Sequence, residues 1–138
     1  MNKEIINNFK SFFLGEITEE NINKIINDFY GIKTSYTASG DVGSAVFYLH
    51  FHISIKDGKS FYGNAGGVSV PGGGKFFGTL FCDDLNNLYQ NTSSFEFQST
   101  SAYISLLFFD SSTKLLGHFQ GGAISTVLGI GGGSGSWQ

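Results

Sequence analysis

The chain has 138 residues and a formal net charge of −3, with 41% hydrophobic and only 14% charged residues. That length builds one core rather than two, and 16% aromatic content at such low charge excludes a disordered chain. Eight Lys plus Arg, with no basic stripe interleaved with aromatics, exclude the electrostatic footprint of a nucleic-acid binder, so no nucleic-acid partner is expected.

Residues 3–30 carry a helical period. Ile5, Ile6, Phe9, Phe12 and Phe13 form one apolar stripe and Ile22, Ile25, Ile26 and Phe29 a second, which predicts two amphipathic helices. Gly15 breaks the first. Thr18 supplies an N-cap hydroxyl, Glu19 and Glu20 complement the dipole of the second helix, and Gly31 reads as its C-terminal stop. The chain therefore divides into a helical segment, 1–31, and a second part, 32–138. The apolar stripes either pack on that second part, meet a membrane surface, or hold two copies together through residues 3–30, giving a monomer or a homodimer. Lys3, Lys10 and Lys24 are too few for a strongly basic membrane helix.

No apolar run has the length of a signal peptide at the start, and nowhere do about 18 apolar residues run together as a membrane span requires. The expectation is a soluble protein, either cytoplasmic or secreted by a signal-independent route.

From Ile32 onward the period falls to two. In AVFYLHFHISI, Ala45, Phe47, Leu49, Phe51, Ile53 and Ile55 share one face while Val46, Tyr48, His50, His52 and Ser54 share the other. This predicts a long half-buried strand. Asp57-Gly58 suits a type I′ hairpin turn, with FYGNAGGVSV as the returning strand. Further strands are predicted at about 32–39, 75–82, 93–99, 102–109, 115–120 and 123–130. DDLNNLYQNT is a longer polar link with room for a helical turn. Eight short strands joined by hairpin-length links favour a small closed barrel or a sandwich. YISLLFF (103–109) and ISTVLGI (124–130) are apolar on both faces, so their outer faces need a cover.

The 20 glycines gather at 63–78 and 117–135 with no three-residue period, which rejects collagen. Neither cluster cradles phosphate. GGGK at 72–75 has Ser69 and Phe76 where a P-loop needs Gly and Ser/Thr, and the C-terminal run has no G-x-G-x-x-G opening a helix.

Reactive groups are sparse. Cys82 sits in the apolar LFC run and reads as a buried small hydrophobe with no disulfide partner. His50 and His52 place two imidazoles on one strand face. A metal site would need a third ligand from His118, Glu96 or the Asp83-Asp84 pair, none in a recognised spacing, so His50 and His52 read as polar outer-face residues and no metal is expected. Asp83 and Asp84 precede LNNLY as an N-cap and a first-turn acid rather than as a catalytic pair. No nucleophile elbow or Ser/Cys–His signature occurs, so no catalytic residue, no cofactor and no enzyme is expected.

Several segments together resemble the Vap family, the virulence-associated proteins of intracellular actinobacterial pathogens. They are HFHISIKDGKSFYGNAGGVSVPGGG, the motif Gly78-Thr79-Leu80-Phe81-Cys82-Asp83-Asp84, Phe108-Phe109-Asp110, Leu116-Gly117-His118-Phe119-Gln120, and Gly131-Gly132-Gly133-Ser134-Gly135-Ser136-Trp137. The resemblance covers about 32–137. It implies a mainly β, eight-stranded antiparallel Greek-key barrel with a packed interior, secretion, support of survival inside host phagocytes, and no established enzymatic activity. The helical pair stands where that family has a secretion signal and a disordered stretch.

The functional expectation is a non-enzymatic host-interaction or binding protein with an unknown protein or lipid partner. Its alternatives are a calycin-like carrier of a small apolar ligand, a cupin-type metal enzyme at His50 and His52, and a membrane-associating module acting through the helices. The residues expected to matter are structural: Gly66, Gly67, Gly78, Asp83, Asp84, Gly117, Gly131, Gly132, Gly133, Gly135 and Trp137. Here the terminal glycines let the last strand approach its neighbours closely while Trp137 plugs one end of the barrel.

Overall fold

The computed structural model describes residues 2–45, 47–66 and 71–138. Two helices, α1 (Asn2–Phe13) and α2 (Glu19–Gly31), precede eight strands. These are β1 (Ser35–Ser44), β2 (Tyr48–Ile55), β3 (Ser60–Gly66), β4 (Gly72–Phe81), β5 (Ser94–Ser99), β6 (Tyr103–Phe109), β7 (Leu115–Ser125) and β8 (Gly129–Trp137), with a short helix, α3 (Leu85–Asn91), after β4.

All pairings are antiparallel and the sheet closes in the order β1-β2-β3-β8-β5-β6-β7-β4. Around that ring, β4-β1-β2-β3 is one Greek key, three consecutive strands with the fourth returned beside the first, and β8-β5-β6-β7 is a second of the same form. Each key places a glycine-rich strand fourth, β4 or β8, and each of these strands joins the two keys. The two glycine clusters of the sequence thus lie at the joints that close the barrel.

Alternation fixes the inner face. Ala38 and Val42, Leu49, Phe51, Ile53 and Ile55, Phe61 and Ala65, Phe76 and Leu80, Phe95 and Phe97, Ile104, Leu106 and Phe108, Phe119 and Trp137 are buried in one continuous core. Burying such side chains contributes about 1.5–3 kcal/mol each, which makes this cluster the main source of stability.

The helices make a second core on the outside. Ile6 and Phe9 of α1 and Ile22, Ile25 and Phe29 of α2 pack with Leu107, Phe109 and Leu115. They supply the cover that the apolar outer face of 103–109 needs. Local chemistry sets their limits: Gly15 turns the chain at φ +83°, and the Thr18 hydroxyl accepts from Asn21 N at 3.2 Å. Gly31 is the last helical residue rather than a left-handed stop, and the end closes through Ile32 N donating to the Asp28 carbonyl. No helix among the described residues is long and apolar enough to cross a membrane.

Several sequence expectations are corrected. The strand predicted from Ala45 begins at Tyr48, and Phe47 is 64% exposed rather than on the inner face. Ser44 Oγ and the paired backbone groups of Ala45 and Tyr48 turn the chain there. Only Asp57, at φ 60°, is left-handed in the following turn, so it is not type I′. Gly58 instead makes room for the Tyr89 hydroxyl, which a Cβ would meet at 2.9 Å.

Gly121 and Gly122 do not separate two strands, because glycine pairs as well as any residue and β7 runs through them against β4 and β6. The predicted strand 123–130 is really the end of β7, a turn and the start of β8; Val127 is buried there, but Ile124 is 83% exposed, with no cover among the described residues. Val46, Gly67 and the 67–70 part of the predicted returning strand fall outside the described residues.

Candidate functional site

A carrier would hold its ligand inside the barrel, where about 300 Å³ or more is needed. Rings occupy that space. Phe51 packs on Phe97 and Phe95 at 4.8 and 5.3 Å between centroids, Phe61 on Phe108 at 4.9 Å, and Phe76 on Phe119 at 5.3 Å. The inward glycines allow it: a Cβ at Gly131 would meet the Phe97 ring at 2.8 Å and one at Gly63 the Phe61 ring at 2.5 Å. Each missing side chain is replaced by a neighbour's ring lying over the backbone.

Trp137 closes the α3 end of the barrel. It is 6% exposed, packs on Phe61, Phe108 and Tyr89, and donates from Nε1 to Thr92 Oγ1 at 3.2 Å. β8 pairs with β5 over 129–134 and with β3 over 133–137, so the glycine run is a full strand. Of the glycines singled out, Gly78, Gly117, Gly131, Gly132, Gly133 and Gly135 are all closely approached. Gly66 is not: a Cβ there meets nothing within 4 Å.

Asp84 caps α3, accepting from Asn87 N at 3.1 Å. The cap thus falls one residue later than predicted, on Asp84 rather than Asp83, and Asp83 does different work. Its Oδ1 accepts from Lys33 N and Thr34 N at 3.0 and 2.9 Å, tying the start of β1 to the end of β4, and these two backbone donors hold its carboxyl below the usual range. With Asn27, Asp28, Asn87 and Lys114, the pair lines an open groove of about 400 Å³ between α2 and α3. Cys82, just before them, is buried; its thiol donates to the Leu116 carbonyl, and burial pushes its pKa up. A thiol held protonated is a poor nucleophile.

His50 and His52 stand on the outer face of β2, as alternation requires. His52 is engaged at both nitrogens, Nδ1 with Asp41 Oδ2 at 3.3 Å and Nε2 with the Ser54 hydroxyl at 3.1 Å. His50 pairs with Asn64 through Nδ1. His118 and Glu96 lie beneath the helices, on β7 and β5, and no group of three metal-ligating side chains occurs among the described residues.

Cross-strand rungs build the rest of that face. Asp41, His52, Tyr62 and Ser136 form one rung across β1, β2, β3 and β8, and His50, Asn64 and Ser134 the next. His52 stacks on Tyr62 at 4.8 Å and Tyr48 on His50 at 6.2 Å. Tyr48 and Tyr62 are exposed, and no Lys or Arg interrupts the two rungs. It is a hydroxyl-rich aromatic surface whose one carboxylate, Asp41, stands opposite Lys75 of β4.

The covered face holds what sequence reasoning missed, a buried polar seam on the outward side of β5, β6 and β7. Glu96, Gln98, Ser105 and His118 are buried beside half-buried Gln120. Gln120 Nε2 bridges Ser105 Oγ and His118 Nδ1, and His118 lies between the rings of Phe29 and Phe81. Burial pushes Glu96 up to about 8, opposed by its bond from Gln98, and pushes His118 down to about 4, opposed by its backbone contact with Phe29. The alternation FEFQS puts Glu96 and Gln98 outward, which reads as solvated until the helices are seen to cover them.

These two groups give stability opposite pH slopes. The part depending on protonated Glu96 is full below pH 4.5 and is lost as pH rises through about 8. The part depending on neutral His118 is present above pH 6.5 and is lost as pH falls through about 4. The urea midpoint should therefore stay nearly flat from about pH 4.5 to 6.5 and fall between pH 6.5 and 8. A midpoint that rises across that upper interval would contradict the burial of Glu96.

Closed connectivity and a core filled with its own rings define a small double Greek-key barrel with an exposed polar-aromatic flank. The chain belongs to the Rhodococcus equi virulence-associated protein family, whose sequence profile matches residues 1–138. Two solved structures from the intracellular pathogen Rhodococcus equi are similar to it. The virulence-associated protein VapB is 48% identical with a TM-score of 0.72, over 76% of this chain and 96% of its own. VapD is 42% identical with a TM-score of 0.70, over 76% of this chain and 97% of its own. None of the curated protein sequences matches the chain.

Proposed function

We propose that this protein is a non-enzymatic binding module that engages a host macromolecule, in the service of virulence, through the outer face of β1, β2, β3 and β8. The filled interior carries this reading, because it leaves the exterior as the place where a partner can be held. The kinship with VapB and VapD supports the link to virulence. The ionisable groups with strongly displaced pKa values, Glu96 and His118, are buried under the helices, away from any substrate. Exposed Tyr48 and Tyr62, stacked on His50 and His52, offer the amphipathic contact area that interface anchors use.

Amide NMR of the labelled chain, titrated with fractionated phagocyte extract, tests it. Perturbations should map to the outer residues of β1–β3 and β8, and the double change Tyr48→Ala, Tyr62→Ala should weaken the response about tenfold or more while leaving the unfolding free energy within about 0.5 kcal/mol of the parent for each change, as surface substitutions do. Undiminished binding by that variant, or perturbation confined to inner residues such as Phe51 and Phe97, would contradict it.

A further inference from the structure

The apolar face of α1 packs on Leu107 and Phe109 of β6, but α1 also covers polar residues of the neighbouring strand. Beneath it, the outward residues of β5 are Glu96 and Gln98, 0% and 1% exposed. Two contacts place Glu96 under the helix. Gln98 Nε2 donates both to Glu96 Oε2 at 3.1 Å and to the Ile5 carbonyl at 2.9 Å. A Cβ at Gly132, which pairs with Glu96 across β8, would meet the Phe12 ring at 3.7 Å. The second carboxyl oxygen, Oε1, is buried without a partner.

Among the described residues, no cation faces this carboxyl. β8 presents Gly132 and β6 presents Leu107 beside it, and α1 contributes Ile5, Asn8 and Phe12 around the Gln98 bridge. Lys3, Glu4 and Lys10 of α1 are exposed. Tyr103 on β6 is raised by burial and then by the charge of Glu4, so it stays neutral, and His118, two strands away in the same rung, is held neutral under α2. Apart from the Gln98 bridge, the polar tie from α1 to this face is Asn8 Nδ2 donating to Gln98 Oε1 at 3.2 Å.

We propose that α1 is a releasable cover over β5, latched by Glu96 in its protonated form: it stays docked while the carboxyl keeps its proton and lifts away as that proton goes to water. An ionised Glu96 would put an unpaired charge under the helix, whereas lifting α1 returns the carboxyl to water. The displacement of Glu96 to about 8 supports the same direction. Release frees the buried face of Ile5, Ile6 and Phe9 and uncovers the Glu96–Gln98 part of the polar seam. The device is a two-state element biased by one proton.

Hydrogen exchange of the α1 amides in the full chain, corrected for intrinsic rate, measures the opening. With Glu96 at about 8 docked and 4.5 released, the opening constant of α1 should rise roughly 70-fold from pH 5 to 7 and about 10-fold more from pH 7 to 9, then level off. Amides of β5 and β6 should open at least about tenfold less often, since their opening requires the barrel itself to unfold. Glu96→Gln, neutral and of the same shape, should abolish the dependence and keep α1 protected at pH 9. The proposal fails if the wild-type opening constant is the same at pH 5 and 7, if α1 and the strands open together, or if Glu96→Gln retains the slope. The wild-type profile decides the first two without the variant.

Discussion

Replacing Trp137 with alanine is expected to lower unfolding free energy by about 3–5 kcal/mol, the range for removing a large aromatic from a close-packed core. Trp137 is the last residue of β8, and its ring fills the α3 end of the barrel against Phe61, Phe108 and Tyr89. Its loss leaves a void bounded by three rings that are themselves held on β3, β6 and α3, so the site cannot collapse. Trp137→Phe keeps most of the packing and gives up the Nε1 bond to Thr92, which costs about 1 kcal/mol by itself. Urea titrations of the two variants separate packing from hydrogen bonding. A loss below about 1 kcal/mol for the alanine variant would mean that the terminal segment is a tail.

The second large effect belongs to a glycine. A Cβ at Gly133 would stand 2.0 Å from the Asn64 carbonyl oxygen and 2.7 Å from the Ala65 Cα, both backbone atoms of β3. Nothing flexible can give way, so Gly133→Ala forces β8 and β3 apart at the joint between the two Greek keys. A loss of at least about 3 kcal/mol is expected, the upper part of the overpacking range. Gly66→Ala is the matched control, with open space around it and a backbone that any residue adopts. It should be neutral or stabilise by about 0.4–1 kcal/mol through the unfolded state. Equal losses at the two sites would mean that glycine content in general, rather than close approach at β8, is what the barrel requires.

Those two glycines also show where the sequence was legible and where it was not. Period-two alternation located β2 because its side chains alternate between core and exterior, whereas β6 stood out as a run apolar on both faces. The helices were equally plain, since the stripes Ile5, Ile6, Phe9 and Ile22, Ile25, Phe29 are the faces that pack. Alternation is silent on β8, where five of the seven residues from Gly129 to Gly135 have no side chain and the strand is defined by its partners. The same silence made Gly121-Gly122 look like a break in β7. What covers a strand is a property of the whole fold, which is why the burial of Glu96 and Gln98 could not be read from FEFQS. His50 and His52, by contrast, sit on the outer strand face that their spacing indicates.

Whether anything enters the barrel can be measured directly with the chain's only tryptophan, which lies at the end of the core. Trp137 emission is followed while the native protein is titrated with retinol and with cis-parinaric acid, alongside Phe97→Ala as a variant with an opened interior. A barrel filled by its own rings predicts no saturable quenching in the parent chain and measurable quenching in the variant; stoichiometric, saturable quenching in the parent would show that the interior holds a ligand.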